Sequence, residues 1–191
     1  MNRQPGDTIF TIGHSTRTLA EFMTLLRQVK ITLLVDVRSI PRSRMTPQFN
    51  GDTLPDALAA HGIGYQHLRA LGGRRHHPKN APSSLNTYWR VAAFRNYADY
   101  AETGEFRAGL GALYALACDD RCAIMCAEAV WWRCHRRIIT DYLLAGGTQV
   151  EHIMGPGQVA PATLTPGACV MAGGTLRYPA PGDADLTGRS D

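Results

Sequence analysis

The sequence has 191 residues, of which 45% are hydrophobic and 19% are charged, as in an ordinary globular protein with a sizeable core. The first ten residues hold charges and no long apolar run, and nowhere do roughly 18 apolar residues follow one another. We therefore expect neither a signal peptide nor a membrane-spanning segment. The formal net charge is +4.

Positive charge is concentrated in the middle of the chain. Residues 38–95 hold nine Lys and Arg against two Asp, which gives a local charge of +7. This predicts an anionic partner, either a small molecule such as a nucleotide or a nucleic acid. The alternative is a solvated loop rich in arginine, and the sequence leaves both open. It makes no prediction about the oligomeric state.

The chain contains five cysteines, at positions 118, 122, 126, 134 and 169. An odd number without a secretory signal favours reduced thiols over a disulfide framework. We therefore expect a cytoplasmic protein.

Short β-rich runs alternate with segments whose apolar residues recur every three or four positions, which predicts an α/β fold with a mostly parallel sheet. The predicted strands cover residues 8–12, 31–37, 65–68, 122–125 and 150–153. The predicted helices cover residues 19–29 (capped by Ser15 or Thr16), 54–61, 86–100 (capped by Asn86 or Thr87), 105–117 and 138–144. A hairpin is predicted within residues 168–178. We expect one domain over residues 1–178, with a long loop at 71–86 and a flexible tail at 179–191.

Polar residues follow the predicted strands, where parallel strands of an open sheet bind ligands. His14 and Ser15 follow the first strand, and Asp36 and Arg38 lie at the end of the second. His14 is a candidate general acid or base. The alternative is that it is a turn histidine that bonds to a neighbouring backbone carbonyl. Asp36 and Arg38 suit ligand binding, or else a structural ion pair.

The densest group of reactive residues lies between the fourth strand and the helix after it, in residues 126–137. The helix start, with Arg136 beside it, predicts an anion site, and the same field favours a Cys134 thiolate as nucleophile. Glu128 is the candidate general acid or base. Cys126, His135 and, in the basic loop, Arg74 are candidate binding residues. The bland alternative is that Glu128 pairs with an arginine and the cysteines only fill the core.

Three anion-binding motifs are absent, namely the P-loop, the dinucleotide-binding glycine pattern and the spacing of a cysteine phosphatase. A zinc site is not expected either. No C-x-x-C pair exists, Cys122 and Cys126 lie roughly 13 Å apart along a strand, and the adjacent Cys134 and His135 should diverge. We therefore predict no bound metal and no cofactor.

The motifs resemble a known family. The matching stretches are Gly13-His-Ser-Thr-Arg17, Asp36-Val-Arg38 with Pro41 and Ser43, Pro47-Gln-Phe-Asn50, Leu71-Gly-Gly-Arg74, Met125-Cys-Ala-Glu128, Cys134-His-Arg136, Glu151-His-Ile153 and Leu176-Arg-Tyr-Pro179. On these residues the chain resembles the domain of unknown function 488 family of bacterial and archaeal proteins. The resemblance implies a Rossmann-like three-layer α/β/α domain and no particular activity.

Three functions remain open. The first is a hydrolase or transferase acting on a nucleotide, a nucleic acid or another phosphate- or glycosyl-bearing substrate at the rim of the sheet. The second is a non-catalytic nucleic-acid or nucleotide binding module, in which Tyr88, Trp89 and Tyr97 accompany the basic residues. The third is a thiol redox or metal sensor built on Cys126 and Cys134.

Overall fold

A six-stranded sheet, parallel except at one edge, forms the centre of the protein. The computed structural model describes residues 8–77 and 82–182. The strands lie in the order β3-β2-β4-β1-β5-β6, and only β6 runs antiparallel to its neighbour. Their bounds are β1 Thr8–Gly13, β2 Leu33–Asp36, β3 Gly64–His67, β4 Cys122–Cys126, β5 Gln149–Gly155 and β6 Gln158–Pro161. The predicted α/β class is confirmed.

The hydrophobic pattern explains this strand order. Every residue of β1, β2 and β4 is buried, as expected for strands covered by helices on both faces, and these three strands are central. β3 alternates between exposed and half-buried positions and lies at the edge.

Helices cover both faces of the sheet. They are α1 Leu19–Gln28, α2 Leu54–Ala59, α3 Ala92–Ala101, α4 Gly104–Asp119 and α5 Arg136–Ala145. One apolar core joins α1 and α2 to the sheet through residues such as Phe22 and Leu54. The other joins α3, α4 and α5 through residues such as Tyr97, Phe106 and Ile139. The predicted three-layer α/β/α arrangement follows from these two cores.

The start of α1 differs from the prediction. Thr18, rather than Ser15 or Thr16, caps the helix: its side chain accepts from the backbone N–H of Glu21, while the Glu21 carboxylate accepts from the backbone N–H of Thr18. This is a reciprocal capping box. Ser15 has a left-handed φ of 50° and belongs to the turn after β1.

The predicted helix over residues 86–100 begins only at Ala92. The buried Asn86 does not cap it. The Asn86 amide donates to Asp99 at 2.8 Å and to Glu102 at 3.2 Å, and its oxygen accepts from the Tyr178 N–H at 2.9 Å. Asn86 therefore ties the C-terminal segment to α3.

Strand β6 was not predicted, because its surroundings are rich in proline and glycine. A turn through Gly157, at a φ of 68°, returns the chain antiparallel to β5. The predicted C-terminal hairpin is confirmed as β7 (Cys169–Val170) paired with β8 (Leu176–Arg177).

Residues 1–7, 78–81 and 183–191 lie outside the described part of the chain. They include part of the predicted long loop and most of the predicted tail. The division into a domain of residues 1–178 and a tail stays a prediction. In the described ranges, no helix has the length and apolar character needed to cross a membrane.

A buried carboxylate joins the C-terminal segment to α5. Asp141 accepts from the backbone N–H of Thr165 at 2.8 Å and from the Tyr178 hydroxyl at 3.0 Å. Burial raises the pKa of the Asp141 carboxyl, while these donors partly oppose that rise. The two hydrogen bonds thus compensate for removing the carboxylate from water.

We predict that Tyr178→Phe lowers the free energy of unfolding by about 1–3 kcal/mol, because it leaves a buried acceptor short of a donor. Urea denaturation measures the change. The matched control is Tyr114→Phe, since the Tyr114 hydroxyl has no hydrogen bond to another described residue. Equal effects in the two variants would contradict this role for Asp141.

Candidate functional site

The carboxyl ends of the parallel strands meet at one rim, which surrounds a cavity of about 600 Å³. Eight of the ten predicted site residues line this cavity: His14, Ser15, Arg38, Arg74, Cys126, Glu128, Cys134 and His135. The other two, Asp36 and Arg136, are buried beside it. The structure therefore brings together the residues that the sequence placed at the ends of separate strands.

The turn carrying Glu128 lies directly on the end of β1. A Cβ atom at Gly13 would come within 1.8 Å of the Glu128 carbonyl oxygen, so only glycine fits there. Beyond it, the N–H groups of His14 and Ser15 donate to the carbonyls of Cys126 and Ala127, at 3.0 and 2.9 Å. These contacts fix the Glu128 backbone, and the Glu128 side chain is exposed at the cavity.

His14 is buried and held as a neutral imidazole. Its Nδ1 lies 2.9 Å from the Ser15 carbonyl, which can only accept, so Nδ1 carries the hydrogen. Its Nε2 then accepts from Arg38 at 3.3 Å, and its ring stacks on Phe49. Burial lowers the pKa of His14 to about 4, and the positive charge of Arg38 acts in the same direction.

Asp36 and Arg38 form a buried ion pair, as one of the two interpretations predicted. The Arg38 Nη2 lies 2.5 Å from an Asp36 oxygen and donates to the Phe49 carbonyl at 2.7 Å. The Tyr65 hydroxyl donates to Asp36 at 2.8 Å. Tyr65 is a site residue that sequence reasoning missed, since nothing in a short edge strand marked it.

Two of the cavity's arginines have no partner within the described part of the chain. Arg136 is buried and donates to the Glu128 carbonyl at 2.6 Å, so it holds the turn in place. Arg74 and Arg133 line the cavity, and their side chains make no hydrogen bond or ion pair with another described residue. Unlike Arg38 and Arg136, Arg74 and Arg133 therefore keep guanidinium groups with which a ligand can pair.

Two cysteines and a histidine converge beside the cavity. The Nδ1 atom of His135 lies 3.5 Å from the Cys134 sulfur and 3.8 Å from the Cys126 sulfur. The three ligand atoms all lie within 4.8 Å of one another. The expectation that Cys134 and His135 diverge is wrong, because Cys134 precedes α5 in an extended conformation while His135 has already turned into the helix.

The pKa values of the two cysteine thiols are shifted in opposite directions. Burial alone would raise the pKa of Cys134, but the hydrogen bond from Cys126 and the positive charge of Arg136 hold it well below its usual range. The pKa of Cys126 is raised by its hydrogen bond to Cys134 and by burial. Of the two thiols, Cys134 is therefore the one that ionises more readily.

The ring of His135 is fixed by its surroundings. Its Nε2 donates to the Val37 carbonyl at 2.9 Å, which turns Nδ1 toward the sulfurs. A Cβ atom at Gly73 would lie 2.3 Å from Nδ1, so the glycine lets the loop after β3 approach the ring. The ring of Tyr97 packs edge-on against His135 at 5.0 Å. The Leu71-Gly-Gly-Arg74 motif was the only sequence signal for Gly73.

We predict that His14 stays neutral down to about pH 4, the value that its pKa takes in the folded protein. The unfolded chain takes up this proton near pH 6.5, so the contribution of His14 to stability should be lost as the pH falls from about 6.5 to 4. Nitrogen-15 NMR of the imidazole checks both its pKa and its tautomer. A His14 that titrates near 6.5 would contradict the assignment.

Comparison with known proteins bears on the family alone. No curated protein and no solved structure gives a significant match to the chain. A family model described as "Domain of unknown function DUF488" matches residues 18–143, about two thirds of the sequence. This span includes Asp36, Arg38, Glu128 and the Cys-His-Arg segment of the rim. The chain therefore belongs to the DUF488 family.

Proposed function

We propose that the protein is an enzyme, a hydrolase or transferase, that acts on a nucleotide or another phosphate-bearing substrate in the rim cavity. The observation that carries this proposal is a convergence in one cavity: it is lined by a solvent-accessible carboxylate, by a cysteine of lowered pKa and by two arginines that have no partner among the described residues. Structural packing requires neither the carboxylate nor the two arginines there, and the combination matches what polar catalysis needs.

Glu128 is the proposed general acid or base. Its carboxylate is exposed on a turn whose backbone is held by Gly13 and by Arg136. A rigid backbone with an accessible side chain suits proton transfer to or from a bound substrate.

Cys134 is the proposed nucleophile. Its sulfur accepts hydrogen bonds from the backbone N–H and from Nε of Arg136, at 3.5 and 3.4 Å, which favour the thiolate over the thiol. His14 acts as a positioning residue, because its Nδ1–H and its Nε2 lone pair are both occupied by other protein groups.

Arg74 and Arg133 are the proposed anion-binding residues. The backbone N–H of Arg74 donates to the Ser39 hydroxyl at 2.8 Å, which fixes the start of its side chain at the cavity edge. Ser15, beside them at the rim, offers a hydroxyl to the same ligand. The arrangement supports recognition of a phosphate rather than of an uncharged group.

A non-catalytic nucleic-acid binding module is the second candidate, and the unpaired arginines favour it as well. Two of its three predicted aromatic residues, Trp89 and Tyr97, are buried in the core and cannot stack on bases, which leaves the half-buried Tyr88. Binding without turnover over the whole substrate panel would select this candidate over an enzyme.

We predict that Glu128→Gln lowers turnover about 100-fold or more, since general acid–base groups commonly contribute that much. The measurement is a screen of nucleosides, nucleotides and DNA with wild-type protein, followed by kinetics of the variant on any active substrate. Asp56→Asn, which neutralises an exposed carboxylate on α2 away from the cavity, is the matched control. Equal turnover by Glu128→Gln and wild type would remove Glu128 from the mechanism.

We predict that Arg74→Ala and Arg133→Ala each weaken the binding of ADP about fivefold, or about 1 kcal/mol, as expected for solvent-exposed ion contacts. Isothermal titration calorimetry measures the affinities, and Arg27→Ala, on the exposed side of α1, is the control. If Arg27→Ala weakens binding as much as the cavity variants do, the effect comes from net charge and the anion site is wrong.

A further inference from the structure

The cluster of Cys126, Cys134 and His135 has the dimensions of a metal site. In a tetrahedral site, zinc–sulfur bonds of about 2.3 Å and zinc–nitrogen bonds of about 2.0–2.1 Å place sulfur and nitrogen about 3.6 Å apart. The two observed distances from Nδ1 of His135 to the sulfurs are 3.5 and 3.8 Å. The two sulfurs and the nitrogen all lie within 4.8 Å of one another, so a single ion between them can contact all three.

The histidine is oriented as a ligand. Metal-binding histidines nearly always donate their second ring nitrogen to a carbonyl or carboxylate, which fixes the lone pair toward the metal. Here Nε2 of His135 donates to the Val37 carbonyl, and Nδ1 points at the sulfurs. Gly73 and Tyr97 restrict the ring further, so little ordering entropy remains to be lost on binding.

The two cysteine sulfurs are also suited to act as metal ligands. Cysteine binds a metal as the thiolate, so binding of an ion releases the thiol protons of Cys126 and Cys134 to solvent. The two N–H groups of Arg136 that donate to Cys134 leave the third lone pair of its thiolate sulfur for an ion. Two thiolates neutralise a divalent cation, which suits a buried location beside Arg136.

We propose that Cys126, Cys134 and His135 bind a zinc-class divalent cation whose fourth coordination position opens into the rim cavity. Two thiolates and an imidazole select zinc over magnesium or calcium. All three ligands line the cavity, so a fourth ligand from solvent or substrate approaches from that side. With an ion bound, Cys134 serves as a ligand, and the ion takes the place of its sulfur as the reactive centre.

The test is metal binding by the full chain, measured without substrate. Reduced protein is stripped with a chelator and titrated with Zn²⁺ against a chromophoric competitor, and Co²⁺ loading is followed by its visible absorption. We expect about one ion per chain, with Co²⁺ showing the bands of tetrahedral thiolate coordination. Cys126→Ser, Cys134→Ser and His135→Gln should each weaken zinc binding about 100-fold or more.

The controls are Cys118→Ser and Cys169→Ser, because both side chains are exposed cysteines outside the cluster. They should bind zinc as the wild type does. Circular dichroism checks that each variant folds, and three separate ligand variants keep the test valid if one does not. Equal zinc affinity in wild type and a folded Cys134→Ser variant would overturn the proposal. So would reduced wild-type protein that takes up no ion and forms only a Cys126–Cys134 disulfide on oxidation.

The experiments on metal binding and on the proposed function can contradict each proposal independently. Zinc affinity is read without a substrate, and the Glu128→Gln comparison is read as turnover. If the protein binds no zinc, the proposed nucleophilic role of Cys134 is unaffected. If no turnover is found, the zinc site remains, in a protein that binds its ligand without catalysis.

Discussion

The rim depends on one buried cation, Arg136. Its side chain is the largest among those that are almost fully inaccessible to solvent, and a charge in that position must be paired and hydrogen-bonded. Its guanidinium donates to the Glu128 carbonyl at 2.6 Å and to the Cys134 sulfur at 3.4 Å. Cys134, whose pKa is lowered, is the neighbour that can carry the compensating negative charge. A single interaction thus positions the carboxylate turn and sets the ionisation of the thiol.

This constraint divides the arginines of the site into two groups. Arg38 and Arg136 lie inside, where Asp36 and Cys134 balance their charges, and they hold the rim in shape. Arg74 and Arg133 lie outside, without a partner among the described residues, and they are the cations that a ligand can use. The positive charge of the site is therefore partly structural, and we propose that its unpaired part recognises the ligand.

The sequence predicted the layers and the rim well, because continuous apolar strands and periodic helices dictate both. Burial of every residue in β2 and β4 follows directly from their composition. It predicted α3 poorly, because Asn86 has the side chain of a helix cap but makes its hydrogen bonds to distant residues. It missed β6 because a short strand after Pro156-Gly157 depends on pairing with β5 rather than on its own pattern.

The sequence predicted which residues lie at the site better than it predicted their contacts. Counting residues placed Cys134 and His135 side by side and predicted divergence, whereas the change from extended to helical backbone between them brings both to Cys126. The proposed positioning role of His14 likewise follows from its contacts: Ser15 and Arg38 occupy its two ring nitrogens, which residue spacing does not reveal.

The most direct test of this account is an ultraviolet titration of thiolate absorbance in metal-free protein. A Cys118→Ser/Cys169→Ser variant leaves only the three buried cysteines. Burial raises the pKa of Cys122 to about 12, and the pKa of Cys126 is also raised, so any thiolate formed below the ordinary cysteine value of about 8.5 belongs to Cys134. The account predicts one such thiolate, removed by Cys134→Ser. Absorbance that rises only above that pH would contradict the Arg136–Cys134 pair on which the site depends.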